Sequence, residues 1–251
     1  MAHWMSVARI IIAASALIHC SAHCWAGASE PRFDARFLVS NDAFFPRSVA
    51  VADFNADGAP DFLVAQNNNQ QIRLFIAESA LESAYSPLTL PIPPSGGPWA
   101  VAAADLDGDG LVDPIYYWAN PHVVQWLRRT GSDPLQFEPQ DIFINGSNFP
   151  SGIVPTDLDL DGDIDIISWS NYDLHVHENR MKQGGEPWIS HTIYGAPWQD
   201  FRKVDVIDFD EDGRLDFVTP LTGDDAIRLY RHSPETPFQF ESIDLNAVVD
   251  G

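Results

Sequence analysis

Cysteine is nearly absent: the 251-residue chain has two, Cys20 and Cys24, and both stand ahead of residue 29. Beyond that point no thiol is available as a nucleophile, a zinc ligand or half of a disulfide, although small secreted domains commonly depend on disulfides. Basic residues are scarce too. Fourteen Lys and Arg face 36 Asp and Glu, for a net charge of −22. That balance excludes nucleic acid as a partner, because a phosphate-binding surface needs clustered Lys and Arg. Long hydrophobic runs are also missing. The stretch from Ile10 to Ile18 is the most apolar, and it falls well short of the roughly 20 residues that cross a bilayer as a helix. No transmembrane segment is therefore expected. Nucleophile elbows, phosphate-cradling glycine loops and zinc-protease motifs are all lacking, so no residue is assigned a catalytic role.

The first 28 residues have the layout of a signal peptide: Arg9, the apolar stretch, then Ala26, Gly27 and Ala28 before Ser29. The expected mature chain is one domain over residues 29–251, secreted or held at the cell surface or in the periplasm. A lipoprotein leader with Cys20 as the modified residue is the alternative, disfavoured by the bulky His19 beside it. With 45% hydrophobic and 20% charged residues, the composition is that of a chain able to bury a core.

The abundant acid is not scattered. Four loops, at 53–61, 105–113, 157–165 and 208–216, share the pattern Asp-x-Asp/Asn-x-Asp-Gly-x-x-Asp, and their first aspartates, Asp53, Asp105, Asp157 and Asp208, are 52, 52 and 51 residues apart. So regular a spacing marks an internal repeat. Calcium takes six to eight oxygens, and alternate side chains at positions one, three and five of such a loop can converge on one ion. Those positions are Asp53, Asn55 and Asp57; Asp105, Asp107 and Asp109; Asp157, Asp159 and Asp161; and Asp208, Asp210 and Asp212. The glycine at position six permits a sharp turn. A backbone carbonyl at position seven (Ala59, Leu111, Asp163, Arg214) would add an oxygen, and position nine is always aspartate (Asp61, Asp113, Asp165, Asp216). Up to four Ca²⁺ ions are expected, which would bring the net charge to about −14. The first site, with Asn55 for a carboxylate, is expected to be the weakest. Asp-Gly is also a common turn dipeptide without metal. Yet fifteen aspartates and one asparagine fill the sixteen matched positions, and carboxylates so crowded repel one another without a cation.

An EF-hand begins in the same way but ends in a bidentate glutamate at position twelve between two helices. Here position twelve is Val64, Tyr116, Ser168 or Thr219, which leaves the bidentate role to the aspartate at position nine. The flanks, Ser48-Val-Ala-Val-Ala52 before the first loop and Phe62-Leu-Val-Ala65 after it, are β-prone. A third strand follows each loop (Gln71–Phe75, Val123–Trp126, Leu174–His177, Ile227–Tyr230) and then a fourth (Tyr85–Ile92, Phe137–Ile142, Trp188–Ile193, Phe238–Ile243). Four strands per repeat is the content of a β-propeller blade.

With those loops, their hydrophobic flanks and lead-in segments such as Trp99-Ala-Val-Ala-Ala-Ala-Asp105, the chain resembles the FG-GAP or VCBS repeat proteins, related to the calcium-bearing blades of integrin α-subunits, over residues 33–246. The resemblance implies an all-β fold of four tandem blades with calcium on the loop oxygens. It also implies a non-catalytic extracellular scaffold for a glycan or protein ligand. The alternative is a propeller-type polysaccharide lyase or sugar dehydratase with structural calcium. Phe33–Val39 resembles an additional outer strand, so an open slice of a larger propeller, or self-association through open blade faces, is expected ahead of a closed ring of four.

Trp99 and Trp198, just before strands that enter the loops, are the expected ligand contacts; the other tryptophans, Trp118, Trp126, Trp169 and Trp188, are expected to pack between blades. His175 and His177 alternate onto one strand face with His191 nearby. They are expected to be surface residues, a zinc site being the alternative. Asn145-Gly-Ser147 fits a glycosylation acceptor.

Overall fold

In a computed structural model the described residues are 45–78, 85–92, 96–119, 123–132, 135–144, 150–184, 186–195 and 201–245. The leader, Phe33–Val39, Asn145 and Trp198 lie outside them. The described residues form sixteen strands in four antiparallel sheets. The first contains β1 (Pro46–Ala52), β2 (Asp61–Gln66), β3 (Gln71–Ala77) and β4 (Tyr85–Thr89). The second contains β5 (Pro98–Ala104), β6 (Asp113–Trp118), β7 (Val123–Ser132) and β8 (Leu135–Ile144). The third contains β9 (Pro150–Thr156), β10 (Asp165–Ser170), β11 (Asp173–Asn179) and β12 (Trp188–Gly195). The fourth contains β13 (Asp205–Ile207), β14 (Asp216–Leu221), β15 (Ala226–His232) and β16 (Phe240–Asp244).

Each sheet is a meander whose strands pair in chain order, so each is a propeller-like blade. The acidic loop joins the first strand to the second in every blade. It closes at one register: Ala52 opposite Asp61, Ala104 opposite Asp113, Thr156 opposite Asp165 and Ile207 opposite Asp216.

Strand alternation decides what each face meets. Counting from the aspartate that begins the second strand, residues one, three and five later face the preceding blade, and residues two and four later face the following one. Tyr116 and Trp118 accordingly pack into a core with Leu63, Ala65, Ile72 and Leu74 of the first blade. Ile115 and Tyr117, on the opposite face of the same strand, join Ile153 and Ile166 of the third. Ile167, Trp169, Leu174 and Val176 meet Val204, Phe217 and Tyr230 of the fourth. Because β6 and β10 are packed on both faces, all their residues are buried. Their runs Asp113-Pro-Ile-Tyr-Tyr-Trp118 and Asp165-Ile-Ile-Ser-Trp-Ser170 lack the polar alternation of a half-solvated strand. The core is therefore three slabs between blades, with the loops along one end.

Candidate metal centres

The aspartate at position nine is the best-anchored residue of each loop. Its Oδ2 accepts the backbone N–H of position two: Phe54 at 2.8 Å, Leu106 at 3.2 Å, Leu158 at 3.0 Å and Phe209 at 2.9 Å. Its Oδ1 accepts the N–H of a residue in the second half of the third strand: Ala77 at 2.8 Å, Arg129 at 2.7 Å, Asn179 at 2.8 Å and His232 at 2.8 Å. One buried carboxylate thus ties the loop and two strands together in every blade. The sequence pattern suggests only a metal-ligating role for it; the clasp on the third strand depends on contacts some 16 residues away.

The other acidic positions shape the turn. Position one receives the glycine N–H of position six, Gly58 at 2.8 Å, Gly110 at 2.8 Å, Gly162 at 3.1 Å and Gly213 at 3.0 Å. Position five receives the N–H of position seven at 2.7 to 2.9 Å. The position-six glycines take φ of 85° to 91°, where only glycine sits without strain. Position four is left-handed as well, with φ of 62° at Ala56, 73° at Gly108, 63° at Leu160 and 60° at Glu211. Only the second loop signals this by a glycine in its sequence.

In three loops the folded chain brings carboxylate oxygens of positions one, three and nine within 4.8 Å of one another: Asp105, Asp107 and Asp113; Asp157, Asp159 and Asp165; Asp208, Asp210 and Asp216. The first loop has Asn55 in that set, and its amide donates to Asp57 Oδ2 at 2.8 Å. Burial, aided by neighbouring carboxylates, raises the pKa of Asp113 to about 7, of Asp165 to about 8 and of Asp159 to about 6. Asp61 and Asp157 are raised by burial as well. Oδ1 of Asp157 is buried with no hydrogen-bond partner, in a residue whose carboxylate belongs to the Asp157–Asp159–Asp165 cluster. All-oxygen donor sets of this kind suit a hard cation.

Cations of the protein already approach the same groups. Arg128 Nε lies 2.6 Å from Asp107 Oδ2, Lys182 pairs with Asp163 and donates to the Gly162 carbonyl at 3.0 Å, and Arg214 Nε is 3.2 Å from Asp212. Lys182 also lies against Gly108 of the neighbouring loop. Beside it, buried Asn179 donates to the carbonyls of Leu106 at 2.8 Å and Ile164 at 3.1 Å, and so binds the second loop to the third. Neither residue carries a sequence signal: Asn179 ends β11 and Lys182 follows it in the turn to β12, and both reach the second loop only because the two blades stack.

A sequence model described as FG-GAP-like repeat matches residues 53–116 and 157–219, just over half of the chain, each match spanning two of the loops. The chain belongs to the FG-GAP-like repeat family. The search of curated proteins found no match. The two family matches thus fall on consecutive pairs of blades.

Away from the loops, this FG-GAP-like chain differs from its sequence expectation at the histidines. His175 and His177 are buried, not exposed. They sit beside Phe143 of the second blade, with ring centroids 5.0 and 4.8 Å away. His177 bridges Ser168 and Ser190 at 2.8 Å each, and burial lowers its pKa to about 3. His191 is on the other face of β12, bound to Glu178 at 2.9 Å and stacked on Phe238. The three rings therefore do not converge. The Ser168–His177 pair, sealed between blades, has no access for a substrate. Trp118, Trp126 and Trp169 are buried in the slabs and Trp188 packs against one, as expected. Trp99 lies under the Arg47 guanidinium, 4.0 Å from its ring. Among the described residues no helix is long and apolar enough to cross a membrane.

Proposed function

We propose that the four loops hold calcium, and that the loaded blades form an extracellular, non-catalytic scaffold that binds a glycan or protein. The observation that carries the metal reading is the convergence of three carboxylates in each of three loops, together with the orphaned Asp157 oxygen. Side-chain oxygens of positions one and three, one oxygen of position nine, and the carbonyl of position seven would hold the ion. Position five completes the set with the oxygen not engaged by the loop backbone. Bound calcium would supply two positive charges to carboxylates whose pKa burial, aided by neighbouring carboxylates, has raised, and would rigidify the turn between the first two strands. The scaffold role and the exterior location rest on the family and on the leader-like first 28 residues. Trp99 and Trp198 stand as the proposed ligand contacts.

The test is thermal unfolding in millimolar calcium and in excess chelator. An ion that binds only the folded state at 100 times its dissociation constant adds about 2.7 kcal/mol per site. Melting is expected to fall steeply on chelation, and Asp157→Asn is expected to remove part of that difference while leaving the chelated protein as stable as the parent or more so. Identical melting in calcium and chelator would overturn the metal reading. Glycan-array binding without turnover checks the scaffold role, and new ultraviolet absorbance from an acidic polysaccharide would overturn it.

A further inference from the structure

The packing between blades repeats three times, and comparison of equivalent residues shows that a fourth such interface is prepared but not used within the described residues. The residue four before each loop lies on the face toward the preceding blade. Val101, Ile153 and Val204 hold that place in the second, third and fourth blades and are 6%, 8% and 2% exposed; Val49 holds it in the first and is 59% exposed. The opposite face shows the same break at the other end. Ile72, Val124 and Leu174 pair with the residue four after the position-nine aspartate, opposite Ala65, Tyr117 and Trp169, and all three are 0% exposed. Ile227, opposite Pro220 in the fourth blade, is 47% exposed, and Ile207, at the place of buried Ala52 and Ala104, is 48% exposed.

These are not random surface hydrophobics. They are the interface positions of the repeat: the places of Val49 and Ile227 are aliphatic in every other blade, and that of Ile207 is held by buried Ala52, Ala104 and Thr156. None of the three core clusters joins the fourth blade to the first. A solvent-facing end blade is expected to carry polar residues at such places, as capping repeats do, and this chain keeps Val and Ile there.

We propose that the occupant of each end face is a second copy of this chain, joined head to tail, so that the fourth blade of one protomer stacks on the first blade of the other at two equivalent interfaces. The face of Ile207 and Ile227 is of the kind that follows a blade, and the face of Val49 is of the kind that precedes one. The two are therefore complementary in the sense already realised three times within the chain. Two identical blade faces would not be. A head-to-tail contact closes into a ring or runs on as a filament. The described blades of two copies number eight, the upper end of the usual four to eight, whereas those of three copies exceed it.

Sedimentation equilibrium of the purified chain in calcium, with the variants Val49→Asp and Ile227→Asp, tests this. Twice the protomer mass is expected for the parent, and the protomer mass for each variant, with far-ultraviolet dichroism and melting of the parent retained because both side chains are substantially exposed. An equimolar mixture of the two variants is expected to recover paired species. One of its two interfaces is then wild-type on both sides, whereas neither variant alone has such an interface. A monomeric parent at about 100 µM, far above the dissociation constant of a stable interface, would overturn the proposal and mean that the faces are covered by the chain's own remaining residues. Open-ended polymers would overturn the ring of two. A variant that stays paired while the other separates would show face-to-face pairing and overturn the head-to-tail arrangement.

Discussion

Substitution of Asp165 by alanine separates the two jobs of the position-nine carboxylate. Its oxygens accept the N–H groups of Leu158 at 3.0 Å and Asn179 at 2.8 Å, both buried, and the side chain itself is almost fully enclosed. Alanine leaves two buried donors with no partner. Each unsatisfied group costs about 1 to 3 kcal/mol, so the loss is about 2 to 6 kcal/mol. In a domain of this size 1 kcal/mol corresponds to a melting shift of about 2 to 4 °C, which puts the expected drop at roughly 4 to 24 °C. The decisive condition is excess chelator, where no ion contributes. Asp165→Asn, which keeps one acceptor oxygen, is expected to lose about half as much under that condition. A drop of less than about 2 °C in chelator, or a drop seen only with calcium, would refute the clasp and leave the residue as a ligand alone.

Two further outcomes follow from the same loops. Asp159, Asp113 and Asp165 titrate near 6, 7 and 8 in the metal-free fold against an ordinary value of 3.8, so the folded state binds these protons more tightly than the unfolded state. Their contribution to stability is complete below the ordinary value and is lost as pH rises through the folded values. Melting of the chelated protein is therefore expected to fall between about pH 5 and pH 9, and calcium, which competes with those protons, is expected to bind more tightly over the same rise; a chelated melting temperature that climbs with pH would contradict the burial argument. Leu160 sits at position four with φ of 63° and an exposed side chain. Leu160→Gly is expected to relieve about 1 kcal/mol of backbone strain and to raise melting by about 2 to 4 °C, and calorimetry showing a loss would mean that the left-handed turn costs nothing.

Strand order and loop placement were legible in the sequence because each rests on short-range patterning. The Asp-x-Asp-x-Asp-Gly spacing marks a sharp turn, and the runs on either side are too short and too β-prone for helices. Alignment of four copies exposed the third and fourth strands, which are weak as single segments: Leu174–His177 and Phe238–Ile243 fall within or across β11 and β16. The histidines were misjudged for a physical reason. A strand in the middle of a propeller is covered on both faces by neighbouring blades, so a polar residue on it is buried, and no local pattern distinguishes His177 from a residue on a half-solvated sheet. Asn179, Lys182 and Arg128 escaped notice because their partners lie in other loops or strands, Asn179 reaching Leu106 across 73 residues.

The clasp also changes what the loop motif means. A carboxylate at position nine is required by the backbone of each blade whether or not an ion is present, because two N–H groups depend on it in all four copies, both of them buried in the first three. The carboxylates at positions one and five have local duties as well, accepting N–H groups within the turn. Position three has the least backbone work: Asp107 and Asp159 each receive only the N–H of position five, at 3.3 Å. Position three is therefore where metal binding and folding part company. At Asp107 the charge also meets Arg128 Nε at 2.6 Å; at Asp159 it serves no indispensable hydrogen bond, adds to the repulsion in the loop, and has a reason to be there chiefly in the presence of a cation. On this argument the first loop, where position three is Asn55, is expected to have the lowest ion affinity while keeping its fold. On the proposed calcium reading the four loops then form a graded set: the first folds on its clasp, and the other three fold on theirs and add a carboxylate at position three, which is expected to raise their affinity for a divalent cation.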